Sequence, residues 1–207
     1  MSALAAWERL VSCEFEQLPP AVQALHLSRP LRSAPVQALG RGYRLQAPEA
    51  FAEAATVPVF PKLGIKSWRD AGGLGVIYEG VPLLAIVGPL LRAPTQAQRL
   101  MARAWQRAGR TLQLHLWPYL DFSDITEARY LVRAGVARQS SACLRGASAA
   151  HYAQNAVRMA RLAGDVAQQL QPVPWIVDVA LLPDDSLKVV EINPALGPRE
   201  LAELERS

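Results

Sequence analysis

Cysteine is scarce in this chain. Of 207 residues only Cys13 and Cys143 carry a thiol, and their spacing fits neither a metal-ligating nor a redox motif, which suits a reducing cytoplasm. Long apolar runs are missing as well. Val81–Leu91 comes nearest, but it is too short for a membrane span and is interrupted by Pro82, Gly88 and Pro89. Leu10-Val11-Ser12-Cys13 superficially resembles a lipoprotein cleavage site, yet Glu8 and Arg9 break the apolar stretch that such a signal needs. A soluble protein without a membrane partner is expected. Charged residues make up only 19% of the chain, without a long run of one sign, so no segment reads as disordered. Internal repeats and low-complexity segments are absent, and the abundance of alanine, leucine and arginine reads as genomic bias. Ala71-Gly72-Gly73-Leu74-Gly75 lacks the lysine–serine ending of a Walker loop, and reads as a flexible turn into a strand at Val76–Tyr78.

What the chain does hold is apolar mass. With 51% hydrophobic residues it can bury a real core, as one domain or two closely joined lobes. The net charge of +4 comes from scattered arginines such as Arg29, Arg44, Arg92 and Arg103, most of them solvated surface. That balance is compatible with an anionic ligand or with weak nucleic-acid affinity, and does not separate them.

The most informative stretch is Pro174–Pro194, PWIVDVALLPDDSLKVVEINP. Two apolar runs flank Pro183-Asp184-Asp185-Ser186, a turn composition, and predict a β-hairpin. With Asp184 and Asp185 at the centre of the turn, Asp178 falls opposite Glu191. Asn193 then lies on the Glu191 face, a diagonal step from Asp178. The neighbouring residues are apolar on both faces, as in a hairpin buried on both sides. Opposed carboxylates in apolar surroundings repel and resist desolvation unless a proton or a cation neutralises them. Two carboxylates and an amide are the oxygen donors Mg²⁺ accepts, usually while it holds substrate phosphates. The pairing alone equally admits a solvent-facing edge hairpin with merely wet acids.

The rest of the chain reads as a mixture of helices and strands. Met1–Val11 starts as a short helix, Leu25–Leu31 forms an edge strand limited by Pro30, and Pro48–Ala55 is a short helix with proline in its first turn. Val57–Leu63 is the first strong strand and ends near Lys62; Val81–Val87 returns as another. Thr95–Ala108 is a helix capped by Thr95 and stopped by Gly109. Leu112–Leu120 alternates as a strand. A second hairpin joins Thr126–Val132 to Val136–Ala142, with Glu127, Arg129 and Leu131 on one face and Glu127 placed to hold Arg129. Ala147–Leu170 is the longest helix, begun by Ser148, with Tyr152, Ala156, Met159, Ala163 and Val166 as its core stripe.

A resemblance joins these pieces. A D-x-A hairpin followed by E-I-N-P resembles the metal-binding end of the ATP-grasp fold. VFPKLGIKSWRDA at Val59–Ala71 is similar to the F-P-K-L…P-R-D-A segment of the eukaryotic cell-division-cycle proteins that help assemble translation initiation factor 2. EARYLV at Glu127–Val132 fits their E-F-R-x-F-V strand, and Cys13-Glu14-Phe15 resembles their C-x-F opening. The order of the blocks agrees over most of the chain, though the interval between the lysine and arginine blocks is shorter here and no acidic linker is present. The resemblance implies an α+β ATP-grasp fold of two lobes with antiparallel sheets, residues 1–110 and 111–207, enclosing a nucleotide cleft. It implies ATP and Mg²⁺ as ligands, with Asp178, Glu191 and Asn193 on the metal and Asp178 also facing the nucleotide. It makes Lys62, Arg69 and Arg129 the phosphate-facing cations, Arg129 being the one closest to catalysis. Backbone groups of His115–Tyr119, including Leu116 and Trp117, would read the adenine edge. A glycine flap at Gly72–Gly75 stays open as a reading, and Lys66 and Arg145 have no assigned role. Two functions follow from the resemblance. One is an ATP-dependent carboxylate–amine ligase acting through an acylphosphate on a small acid or peptide. The other is a non-catalytic, ATP-bound assembly protein for a protein partner. Nucleic acid is not expected as a partner.

Overall fold

The computed structural model of the chain describes residues 5–39, 42–67, 80–92, 96–144, 149–200 and 202. They pack as two compact units, one built on Ala5–Glu14 and Arg29–Tyr119, the other on Phe15–Ser28 and Leu120–Pro198.

The first unit is organised around a five-stranded sheet. Its strands are β1 (Arg32–Leu39), β2 (Gly42–Leu45), β3 (Val59–Leu63), β4 (Lys66–Ser67) and β5 (Leu112–Pro118), in the order β2-β1-β5-β3-β4. β5 pairs antiparallel with β1 on one side and β3 on the other. A central strand is covered on both faces, and Leu112, Leu114, His115, Leu116 and Trp117 are all buried. Helices α1 (Ala6–Ser12), α3 (Leu83–Arg92) and α4 (Gln96–Arg107) complete the unit. α4 buries Met101, Ala104 and Trp105 at helical spacing, and Gly109 ends it with a left-handed φ of 63°.

The second unit is a four-stranded antiparallel sheet beneath one long helix. Its strands are β6 (Thr126–Arg133), β7 (Val136–Leu144), β8 (Trp175–Leu181) and β9 (Leu187–Pro194), in the order β7-β6-β8-β9, with α5 (Ala149–Gln168) packed on one face. The α5 stripe of Met159, Ala163 and Val166 is buried, as are Tyr130, Val132, Val177 and Val179 of the strands. Ala134 and Gly135 both take positive φ in the β6–β7 turn, the geometry that matches the twist of a tight hairpin. A short helix α2 (Pro20–Leu25) precedes a single parallel bridge from His26 to Val189 on β9.

Three expected elements differ. Val81–Val87 is not a strand: α3 covers Leu83–Arg92. The run is ten residues of mostly apolar character without alternation, so its periodicity does not oppose a helix, and Pro82 stands just ahead of the first turn, where a missing N–H costs nothing. Leu83 and Leu91 are buried on it while Leu84 is exposed. Leu25–Leu31 is likewise not a strand, since α2 runs to Leu25 and the ladder begins at Arg32. Proline at position 30 cannot donate to a ladder, which delays the strand past it. Pro48–Ala55 forms only a 3-10 turn, Pro48–Phe51. The Gly72–Gly75 loop, the Val76–Tyr78 strand, Thr95, Arg145 and Ser148 lie outside the described residues.

The turn between β3 and β4 places a glycine where no other residue fits. Gly64 has a φ of 55°, and a Cβ there would stand 3.0 Å from the Trp105 ring and 3.3 Å from Leu112. Gly80 has a similar φ of 80° with open space around it. Gly64→Ala is expected to cost about 3 kcal/mol, backbone strain plus overpacking, against about 1 kcal/mol of strain alone for Gly80→Ala. Urea denaturation of the two variants beside the parent measures the difference, and equal losses would contradict it.

Candidate functional site

Three charged side chains line up across the second sheet. Arg129 on β6 is directly opposite Asp178 on β8, and Asp178 is directly opposite Glu191 on β9. Residues paired in register share a face, so the three form one row, with Asn193 two pairs further along on the same face, opposite Ile176. Asp178 sits on an interior strand and is 2% exposed; Glu191 and Asn193, on the edge strand, are half-buried.

The opposition of Asp178 and Glu191 depends on two local irregularities that cancel. The turn is one residue longer than a two-residue hairpin: Leu182 N–H donates to the Ser186 carbonyl at 2.9 Å, and Asp185 takes a left-handed φ of 63°. Asp184 braces the turn, its carboxylate accepting from Ser186 N–H at 3.0 Å and Ser186 Oγ at 2.6 Å. The Ser186 side chain and then its backbone hold the Asp184 carboxyl below its ordinary pKa. Continued in register, that turn would set Val190 against Asp178. A β-bulge between Asp178 and Val179 skips Val190 and brings Glu191 there instead. Bulges re-aim side chains in this way.

Arg129 neutralises the buried acid. Its Nε donates to Asp178 Oδ1 at 2.8 Å and its Nη2 to Oδ2 at 2.7 Å, a two-pronged ion pair. Glu127, expected to hold Arg129, adds its charge to this environment, and Asp178 makes the two-pronged contact. Glu127 shares the face but stands two residues along the same strand, whereas Asp178 is the directly opposed residue. The hydrogen bond to Asp178 first, and then the charges of Asp178, Glu191 and Glu127, hold the guanidinium above its already high pKa, while partial burial opposes them. Almost half of the Arg129 side chain, 48%, remains exposed.

On the first unit, Ser33, His115, Lys62 and Ser67 are paired in sequence across β1, β5, β3 and β4. The Lys62 ammonium lies 5.1 Å from the Trp117 ring centroid and 5.8 Å from that of Phe60, aromatic faces that favour a cation. His115 is fully buried between Ser33 Oγ, 2.7 Å from Nδ1, and Glu14 Oε1, 3.2 Å from Nε2. The second oxygen of Glu14 accepts from the Trp105 indole N–H at 2.9 Å. This network explains why His115 can be buried, and its side chain has a structural task. His115 and Leu116 face partners on both β1 and β3, while β1 does not pair beyond Leu116, so only β3 flanks Trp117 and Pro118. Tyr119 is exposed and donates its N–H to the Pro58 carbonyl at 2.8 Å.

No protein-family profile and no curated protein matches the sequence. Among solved structures, the chain is similar to Cdc123 from Schizosaccharomyces pombe, with a TM-score of 0.57 and 15% identity over 99% of this chain and 94% of that one. A C-terminally truncated form of the same protein matches with a TM-score of 0.53 and 14% identity over 96% and 89%. An L-amino acid ligase from Bacillus licheniformis matches with a TM-score of 0.45 and 14% identity, over 92% of this chain and 45% of its own. The chain has the ATP-grasp fold, in the compact form it shares with Cdc123.

Within this ATP-grasp chain, Arg129, Asp178, Glu191 and Asn193 come together on one sheet face, and Lys62 shares a sheet face with His115 and Trp117 on the other unit. Arg69 lies outside the described residues. A cavity of about 440 Å³ in the second unit, bounded by Val132, Gly135, Ala167 and Pro174, involves none of these charged residues. No helix among the described residues is long and apolar enough to cross a membrane.

Sequence reasoning missed Glu14. Its one local signal is a carboxylate set among Leu10, Val11, Cys13 and Phe15, an apolar context that asks for a buried partner. Glu14→Ala removes the acceptor of a buried indole and a buried imidazole together. It should lower stability by about 3 kcal/mol, with Glu14→Gln losing less because its carbonyl still accepts from Trp105. Urea midpoints rank the two, and a Glu14→Ala loss within 0.5 kcal/mol (roughly the surface-substitution range) would show the network to be dispensable.

Proposed function

We propose that this protein binds Mg-ATP and works as an ATP-dependent carboxylate–amine ligase. The observation that carries the reading is the buried Asp178 held directly opposite Glu191, with Asn193 beside them. That donor set fits the ion: two carboxylates and an amide oxygen are hard ligands, and a bulge is spent on bringing the second carboxylate into opposition. Bound there, Mg²⁺ would offset charge on the phosphate oxygens as a phosphoryl group is transferred. By family resemblance Lys62, Arg69 and Arg129 would supply the positive charge that meets the phosphates. A substrate carboxylate oxygen forms a bond to the γ-phosphorus as the bond to the bridging oxygen breaks and ADP leaves. An amine then attacks the acyl carbon of the acylphosphate, inorganic phosphate departs, and the amine gives up a proton to solvent. The chain needs to orient and neutralise rather than attack, so neither Cys143 nor Ser148 is recruited as a nucleophile. A cytoplasmic location belongs to this reading and rests on the two cysteines without disulfide or metal spacing.

A second reading, an ATP-bound assembly protein for a protein partner, is favoured by one finding: the similarity to Cdc123 runs over nearly the whole of both chains. Turnover separates the two. Purified protein incubated with Mg-ATP, alone and with a pool of amino acids or dipeptides, should release ADP only when an acceptor is supplied. Tight ATP binding with no ADP under any mixture would support the assembly reading. Asp178→Ala and Glu191→Ala should each weaken Mg-dependent ATP binding by about 10- to 100-fold in calorimetry. Unchanged affinity in both would place the site elsewhere.

A further inference from the structure

The bidentate grip of Arg129 on Asp178 has a consequence for how the metal enters. Both oxygens of Asp178 are taken by the guanidinium, at 2.8 and 2.7 Å. Those are the oxygens the proposed metal site requires, so a cation and Arg129 compete for them. Asp178 is in no position to yield, being 2% exposed on an interior strand. Arg129 is, because nearly half of its long side chain already lies in water.

Charge decides which partner wins. Asp178, Glu191 and Arg129 together carry one formal negative charge, a poor attraction for a divalent ion. Without the arginine the same row carries two. With ion and arginine both present the row becomes net positive, and needs an anion to balance it. A triphosphate supplies that anion, and its oxygens offer Arg129 a bidentate partner as good as the carboxylate it leaves.

We infer that Arg129 is a latch on the metal site, covering Asp178 until a polyphosphate draws the guanidinium away, so that metal and nucleotide bind with strong positive coupling. This rests on the Mg-ATP reading above and adds an order of events to it: the metal alone is excluded, and the nucleotide admits it. The alternative for the same contact is a permanent ion pair that keeps the strand neutral whatever is bound.

Mn²⁺ as the probe, followed by its paramagnetic resonance signal, distinguishes these. The parent protein should bind Mn²⁺ alone weakly, and at least ~10-fold more tightly once a non-hydrolysable ATP analogue is present, the scale of ordinary allosteric coupling. Arg129→Ala should bind Mn²⁺ alone at least ~10-fold more tightly than the parent, with its melting temperature rising on Mn²⁺ addition while that of the parent stays put. Because Arg129→Ala leaves a buried carboxylate without its cation, at a cost to folding, Arg129→Gln provides the same test with hydrogen-bond donors kept and the charge removed. Equal Mn²⁺ affinity in parent and both variants, with analogue binding still Mn²⁺-dependent, would overturn the latch and leave the Mg-ATP reading standing. No Mn²⁺ bound by any form, with or without the analogue, would overturn both.

Discussion

A carboxylate buried at the centre of a β-sheet must be neutralised, and how Asp178 meets that requirement shapes this half of the molecule. An ionised acid at 2% exposure is costly unless a cation and well-placed donors accompany it. The fold answers with an arginine on one neighbouring strand and sets a second carboxylate on the other. The second acid works against simple stability, since like charges directly opposed destabilise a sheet. Unbroken pairing from the turn would have set Val190 there; the bulge places Glu191 instead. Structure that raises local cost in this way is characteristic of a site kept for binding.

The two buried acids among the described residues make an instructive pair. Glu14 is satisfied by an indole N–H and an imidazole, both buried. Asp178 is satisfied by a side chain anchored on an interior strand but extending into water. One network ties the residue just past α1 to α4 and β5 through buried partners. The other has a partner able to exchange one anion for another. Burial and hydrogen-bond counting treat the two acids alike; the exposure of the partner separates a structural carboxylate from one suited to ligand chemistry.

The ATP-grasp fold positions these features through sheet order. Strand β6 enters the second sheet between β7 and β8, which puts Arg129 beside Asp178, although α5 separates the two strands in the chain. In the first unit, β5 lies between β1 and β3, which sets Lys62 next to His115 and its ammonium against the Trp117 ring. That arrangement keeps the lysine's charge against two aromatic faces.

Local chemistry carried much of the reading. Alternation with period two put Asp178, Glu191 and Asn193 on one face, and turn residues located the hairpin, because both properties depend only on neighbours in the chain. The register came out correctly through a compensation no local rule anticipates: a longer turn and a bulge each shift the pairing by one, in opposite senses. The apolar run at Leu83–Arg92 was ambiguous for the opposite reason, since it lacks any period to separate strand from helix. Residues alone thus determined that an acidic hairpin exists and that its acids face one another; the burial of Asp178, which makes a counter-charge necessary, came from the structure. Only the tertiary structure decided that Arg129 supplies it through a two-pronged contact, and that Glu14, 101 residues from His115 in sequence, joins the other network. Those pairings are set by which strands become neighbours and which helices cover them, and that depends on the summed packing of the whole chain.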